Sequence, residues 1–258
     1  MFHYNTDLEW QKFGDRDPYF AVLTDKSYQT HNLNEQTKEE FFQTGYHYVF
    51  HILTKIREHL NPHYIPRQAL DFGCGVGRLV IPLAEIAASV TGVDISEAML
   101  HEARKNCQER RINNVCFLTS DDNLSLLPYQ YDFIHSFIVF QHLPVKRGEY
   151  LFQRLIDHLA DEGIAVIHFT YARDQMSYKR KLFFLISQIK KYIPFAKRGI
   201  NLIRGRNIFA PDMQMNVYNL NYLFYIIQKN HIQNCYIEYT NHGGELGVLI
   251  YFQKPKTE

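Results

Sequence analysis

The chain has 258 residues, 46% apolar and 21% charged, which excludes a disordered or low-complexity scaffold and allows a sizeable core without disulfide or metal staples. Its four cysteines (Cys74, Cys107, Cys116, Cys235) are scattered and form no Cys-x-x-Cys pair, which argues against a secreted framework or a zinc cage and for reduced thiols in the cytoplasm. The net charge of +1 hides an uneven distribution: residues 171–210 hold ten Lys/Arg against one acid, Asp174, so this stretch carries +9 and the remainder −8.

Met1 to Trp10 is polar and lacks the apolar stretch of a secretory leader, and no apolar run approaches the length of a membrane span. A cytoplasmic location is expected. The N-terminal 65 residues read as helices, with Phe41, Phe42, Tyr46, Val49, Phe50, Leu53 and Ile56 at helical spacing between Glu40 and Leu60. Asn61-Pro62 and Ile65-Pro66 end that pattern. From Ala69 onward short apolar stretches alternate with helical ones, the signature of βαβ units and a parallel sheet. Strands are expected at Ala69–Phe72, Ser89–Val93, Val115–Thr119, Tyr131–Phe137 and Ile164–Thr170. Helices are expected at Arg78–Ile86, Ser96–Arg110 (with Ser96 as N-cap) and Arg147–Ala160. After the basic segment, a helix over Leu220–Lys229 capped by Asn219 leads to two alternating strands, Tyr236–Thr240 and Gly247–Gln253. Residues Asn241 to Leu246 join these as a hairpin loop.

The strongest local signal is Ala69-Leu70-Asp71-Phe72-Gly73-Cys74-Gly75-Val76-Gly77-Arg78, a strand running through a glycine-rich turn into a helix. Glycines permit positive φ and let a ligand approach backbone that a Cβ would block, and the helix start offers free N–H groups to an anion such as a carboxylate. A dinucleotide fingerprint Gly-x-Gly-x-x-Gly does not fit, because Val76 and Arg78 stand where its third glycine would fall. Asp71 would repel a pyrophosphate and favours a cationic group instead. In Val90-Thr91-Gly92-Val93-Asp94-Ile95-Ser96, Asp94 ends the second strand at the distance where an acid accepts hydrogen bonds from both ribose hydroxyls, with Ile95 beside it. The plainer reading of Asp94 is an acid favoured near a helix N-terminus. Met99, one turn into the next helix, either covers an adenine or packs as core. The third strand ends in Thr119-Ser120-Asp121-Asp122, where Asp121 is placed to accept from the adenine amine; Asp122, or a solvated loop with neither acid in contact, is the alternative.

These elements, in this order and at these separations, resemble the class I S-adenosylmethionine-dependent methyltransferases. Tyr131-Asp132-Phe133-Ile134-His135-Ser136, followed by Phe137-Ile138-Val139-Phe140-Gln141-His142-Leu143-Pro144, is similar to that family's fourth strand and the loop after it. The stretches Asp17–Thr24 and Met215–Tyr218 resemble a bacterial small-molecule-type subgroup. The resemblance covers residues 69–170 closely and the C-terminal hairpin loosely. It implies a doubly wound, Rossmann-like α/β fold with a seven-stranded sheet in the order 3-2-1-4-5-7-6 and an antiparallel strand 7. Around this core it implies a helical cap (1–65), a cofactor-binding centre (66–170), a lid or acceptor insertion (171–218) and a final helix and hairpin (219–258) within one domain.

Carried over position by position, Asp71, Gly73, Gly75 and Gly77 match the first motif, Asp94 the ribose acid and Asp121 the adenine acid. Phe137 matches the position whose backbone faces the methionine portion; its bulk departs from the small or polar residue frequent there. The implied cofactor is S-adenosylmethionine, with S-adenosylhomocysteine as product, and no metal is expected because no histidine lies among acids at ligand spacing. His142, after the fourth strand, is the candidate general base; its alternative is a packing or helix-capping role. His168 and His242 are weaker candidates for the same rim.

The Lys-flanked run Leu182–Ile189 suits a packed lid, a lid recognising an acidic acceptor, or a helix on an anionic membrane surface, over residues 176–206. The amino-methylating tetrapeptide of nucleic-acid enzymes is replaced by Ser136-Phe137-Ile138-Val139, so a small organic or lipid-linked acceptor is expected rather than nucleic acid. Oxygen is the favoured acceptor atom. The reading from a different class is a catalytically silent S-adenosylmethionine-binding protein that acts by interaction.

Overall fold

A computed structural model of the chain describes residues 5–174 and 213–256. Strand β1 (Gln68–Phe72) is buried at every position after its first, as a strand covered on both faces must be. It pairs in parallel with β2 (Ser89–Asp94) on one side and β4 (Tyr131–Ser136) on the other. Strand β3 (Val115–Thr119) extends the sheet beyond β2, and β5 (Leu159–Arg173) extends it beyond β4, both in parallel. Strand β7 (Glu245–Gln253) then runs antiparallel to β5, with β6 (Cys235–His242) antiparallel to it at the edge. The sheet order is β3-β2-β1-β4-β5-β7-β6, the expected one, with the expected reversal of β7.

Period-two alternation along the strands divides the core in two. Ala69, Ile164, Val166, Leu249 and Tyr251 face one apolar cluster, while Leu70, Ala165, Ile167, Ile250 and Phe252 face the other. The first face is covered by α1 (Thr6–Arg16), α2 (Pro18–Val22), α3 (Glu35–His59), α4 (Val80–Ala84) and α5 (Glu97–Glu109). The second is covered by α6 (Val145–Asp157) and α7 (Leu220–Lys229). Helix α3 starts at an Asn34–Thr37 capping box and buries Phe41, Phe42, Gly45, Val49, Ile52, Leu53 and Ile56 along one stripe. The N-terminal helices therefore share a core with the sheet.

Several boundaries differ from the sequence reading. The helix expected at Arg78–Ile86 shortens to Val80–Ala84, because left-handed Gly75 and Gly77 (φ 53° and 85°) keep the preceding residues in turns. The helix expected at Arg147–Ala160 begins at Val145, straight after Pro144, and stops at Asp157, because β5 already starts at Leu159. The C-terminal strands run closer together than expected: Asn241 and His242 belong to β6, and only Gly243-Gly244 turn the chain, both with positive φ (63° and 92°). Such a turn matches the right-handed twist of its flanking strands.

After the basic segment the chain returns across the carboxyl ends of the strands. Asn216 N donates to Gln141 O at 2.6 Å and Tyr218 N to Thr170 O at 2.8 Å, while Tyr218 Oη donates to Phe140 O at 2.9 Å. The expectations attached to residues 176–206 lie outside the described residues. No described helix is long and apolar enough to cross a membrane.

Candidate cofactor and acceptor site

The site begins where β1 gives way to the glycine turn. Gly73 has φ 77°, and a Cβ there would stand 2.2 Å from Val139 Cγ2; at Gly75 a Cβ would meet Val22 Cγ2 at 2.7 Å. The turn is tied to β2 by Gly73 N and Cys74 N, both donating to Val93 O, at 2.7 and 3.0 Å. The next residue of β2 is Asp94. Its Oδ2 accepts from Gly75 N and its Oδ1 from Ser96 N, each at 2.9 Å. Burial pushes its carboxyl up to about 6 against the opposing pull of those backbone N–H groups. Each oxygen keeps a second lone pair, so the carboxylate is held in place yet still able to accept a pair of hydroxyls.

A cavity opens at this end of the sheet, lined by Gly73, Gly75, Asp94, Ile95, Met99, Phe137 and His142 among the sequence-predicted residues. Asp71 lies deeper. It lines a smaller space with Cys74 and Arg78, which shares Val22, Gly73, Phe137 and Ile138 with the first. Gly77 lines neither cavity; a Cβ on it would meet Ala103 at 3.5 Å, so its role is helix packing and the left-handed turn. Asp121 and Asp122 are exposed and line neither cavity. The Asp121 carboxylate is taken by Ser125, whose backbone N donates at 3.0 Å and whose hydroxyl also donates; these bonds hold its pKa below the ordinary value. Asp122 pairs with Arg147 Nε at 2.7 Å. Ser120 is the residue of that loop that reaches the cavity, with its N–H donating to Asp94 O at 2.9 Å.

Other residues of the site carried no sequence signal. Thr6, Asp7 and Trp10 of α1 form one wall. Gln11 Nε2 donates to Ile95 O at 2.6 Å, and Arg147 Nη2 donates to Asp7 Oδ2 at 3.0 Å, so α1 is fastened on two sides of the cavity. Ile138 adopts φ 59°, a left-handed conformation that a β-branched residue reaches only under strain, and it does so against both cavities.

His142 belongs to a short helical turn, Phe140–His142, and its ring meets Trp10 edge-on at 4.9 Å. Its Nδ1 lies 2.7 Å from Gln214 O; a carbonyl only accepts, so Nδ1 carries the proton and Nε2 the lone pair. The Gln141 amide nitrogen lies 3.3 Å from that Nε2, with Gln141 Oε1 accepting from Thr170 Oγ1 at 2.7 Å. Burial pulls the imidazole down to about 4, so it is neutral at physiological pH. His168 is fully buried, within 2.8 Å of Thr240 Oγ1, and held near 3 by burial and by neighbouring His242. His168 and His242 line neither cavity, but both pack edge-on against Phe137, at 5.3 and 5.4 Å, and so position its ring. Among the described residues no group of three or more His, Cys, Asp or Glu could hold a metal ion.

Residues 69–163 match the family described as methyltransferase domain. The magnesium-protoporphyrin O-methyltransferase of Synechocystis sp. (strain ATCC 27184 / PCC 6803 / Kazusa) is 41% identical over 92 residues, covering 35% of this chain and 37% of that one. The ubiquinone biosynthesis O-methyltransferase of Rickettsia akari is 27% identical over 117 residues, 45% of each chain. The matched stretches thus span less than half the length of either relative. The crystal structure of magnesium protoporphyrin IX methyltransferase from Synechocystis PCC 6803 with bound S-adenosylhomocysteine superimposes with a TM-score of 0.65 at 18% identity, covering 97% of this chain and 100% of that one, which shows the shared fold. Residues 69–163 are thus similar in sequence to a methyltransferase domain, and the sheet has the fold of the superimposed methyltransferase.

Proposed function

We propose that the protein binds S-adenosylmethionine in the larger cavity and transfers its methyl group to an oxygen of a small organic acceptor. The observation that carries this reading is the joint placement of Asp94 and the Gly73–Gly75 turn. A half-buried carboxylate with spare lone pairs stands beside a cradle that any Cβ would fill. The residues fit the cofactor: Asp94 holds the ribose hydroxyls, Ile95 and Met99 supply apolar cover for the base, and Asp71 favours the cationic amino group. Asp121, turned into its own loop, has no part in this arrangement.

When bound, the cofactor supplies a methyl group already activated by a sulfonium. The chain's task is then positioning, exclusion of water and acceptance of one proton. Trp10 and Phe137 close the apolar wall. His142 is the proton acceptor: Gln214 O fixes its tautomer and burial keeps it neutral, so an acceptor hydroxyl that displaces the 3.3 Å Gln141 contact can donate to its Nε2. The O-methyltransferase names of the two curated relatives support oxygen as the acceptor atom. The basic composition of 171–210 supports an acidic or lipid-linked acceptor, in the cytoplasm or at a membrane surface, and the acidic remainder of the chain with Ser136-Phe137-Ile138-Val139 in place of the amino-methylating tetrapeptide supports a small molecule over nucleic acid.

A radiolabelled-methyl screen over hydroxylated and carboxylated small molecules tests the activity. Transfer to an oxygen is the expected result. Cofactor binding without transfer across an extensive screen would instead support a silent binding protein.

A further inference from the structure

The side chain facing His142 Nε2 is the amide of Gln141, and behind that amide stands the hydroxyl of Thr170, all three residues buried. Because Gln214 O keeps the proton of the neutral ring on Nδ1, Nε2 offers a lone pair, and the amide presents its N–H to it at 3.3 Å. The amide oxygen then points back and accepts from Thr170 Oγ1 at 2.7 Å. The backbone of Gln141 is pinned separately, its O accepting from Asn216 N at 2.6 Å and from Asn216 Nδ2 at 3.2 Å. The amide itself sits on a broad, two-fold torsion, so a half-turn exchanges its nitrogen and oxygen with little movement of the rest.

Methyl transfer reverses what Nε2 needs. The acceptor hydroxyl displaces the amide and donates to Nε2. As its oxygen takes the methyl group from the sulfonium sulfur, which keeps the electron pair, the hydroxyl proton passes to Nε2 and His142 becomes an imidazolium with both nitrogens donating. Once the methylated product leaves, that new N–H faces the amide N–H, and two buried donors in opposition are costly. Among the described residues, the charged and titratable groups around the ring are engaged elsewhere: Asp7 pairs with Arg147, Asp94 accepts from Gly75 and Ser96, and His168 is held neutral by burial. A turned amide removes the conflict. Its oxygen accepts from the imidazolium and its nitrogen donates to Thr170 Oγ1, since a hydroxyl accepts as well as donates. We propose that Gln141 is a positioning residue whose side-chain amide turns over with each proton that His142 accepts, Thr170 serving both orientations. This rests on the reading of His142 as proton acceptor given above. The amide returns when the proton leaves for solvent.

Nuclear magnetic resonance of the full, ligand-free chain with isotope-labelled histidine and glutamine tests the turnover. In the wild type the Gln141 side-chain amide signals should move with the same midpoint as the His142 ring. Gln141→Met removes the acceptor of the turned state and should lower the ring's midpoint by about one pH unit, because a hydrogen bond to a charged group outweighs one to a neutral group. A fixed amide that only donates predicts the opposite sign, since its removal takes a donor out of the way of an incoming proton. A raised midpoint in Gln141→Met, or amide signals that stay put while the wild-type ring titrates, would overturn the proposal. The second of these needs no variant and decides alone if Gln141→Met does not fold. With an acceptor found in the radiolabelled screen, Gln141→Met should lower kcat about 10-fold with donor affinity unchanged, and Gln141→Glu, which accepts in either orientation, should recover part of it. Unchanged kcat in Gln141→Met would also overturn the proposal. Failure of the parent reading looks different: His142→Gln would turn over at the wild-type rate, while ring and amide still titrate together in the wild type.

Discussion

Asp71 and His135 stand in register on the neighbouring parallel strands β1 and β4 and join through a 2.8 Å contact between Oδ1 and Nδ1, both side chains buried. The far nitrogen of the same imidazole lies 3.1 Å from Tyr48 Oη of α3, so a chain of three side chains fixes the carboxylate beneath the glycine turn. His135→Ala strips a buried carboxylate of its partner and is expected to cost about 2–3 kcal/mol in urea unfolding, more than Tyr48→Phe, which is expected to cost about 1 kcal/mol. Equal midpoints for His135→Ala and wild type would show that the contact contributes nothing.

Asp94→Ala should weaken binding of S-adenosylhomocysteine by about 1–3 kcal/mol, the loss of charge-assisted hydrogen bonds. Because the carboxyl is raised to about 6, its ionised form declines as pH falls through that value, and affinity should decline with it. The ligand-free fold responds in the opposite sense. Between 3.8 and about 6 the native state keeps a proton that the unfolded chain has released, so this group lowers stability as pH rises across that window. Asp94→Asn should abolish both dependences. Asp121→Ala should leave affinity unchanged, and a loss equal to that of Asp94→Ala would return Asp121 to the site.

His142→Gln should lower kcat by about 100-fold or more, the contribution typical of a positioned proton acceptor, with S-adenosylhomocysteine binding unchanged. With its imidazole held at about 4, the acid limb of the kcat profile at saturating donor, where Asp94 no longer limits binding, should fall near that value rather than near 6.5. The depressed pKa also means that the unfolded chain takes up a proton the buried ring refuses. His142 therefore costs stability as pH falls from 6.5 to about 4, and His168, held near 3, adds to this. A profile with its limb near 6.5, or a variant of undiminished turnover, would remove His142 from catalysis.

Arg147 bridges Asp7 of α1 and Asp122 of the loop after β3. These groups are partly exposed, so Arg147→Met should change global stability by no more than about 1 kcal/mol. It should nevertheless speed hydrogen exchange in Thr6–Arg16 and the release of S-adenosylhomocysteine, because one of the two fastenings of the cavity wall is gone. Unchanged exchange in α1 would show that the Gln11 bond and packing suffice.

The sheet was legible because each strand carries its own burial pattern and the order of βα steps constrains their neighbours; Gly73, Gly75 and Asp94 were legible because one short backbone turn sets their geometry. What escaped depends on distant segments. Trp10 and Asp7 reach the cavity only because α1 packs against α5 and bonds Ile95 beyond the end of β2, a contact separated by 84 residues in sequence. Asp121 lies outside the cavity lining, its carboxylate taken by the Ser125 hydroxyl and amide, a turn that strand-end spacing does not reveal. Ile138 gave no signal, since a β-branched side chain argues against the left-handed backbone it adopts.

The central claim is tested most directly by calorimetric titration of the wild-type chain with S-adenosylhomocysteine, repeated with S-adenosylmethionine and with NAD as competitors. Saturable one-to-one binding, displaced by S-adenosylmethionine, indifferent to NAD and weakened by Asp94→Ala, is the predicted result. Absence of binding in the folded wild type, or displacement by NAD, would contradict the account.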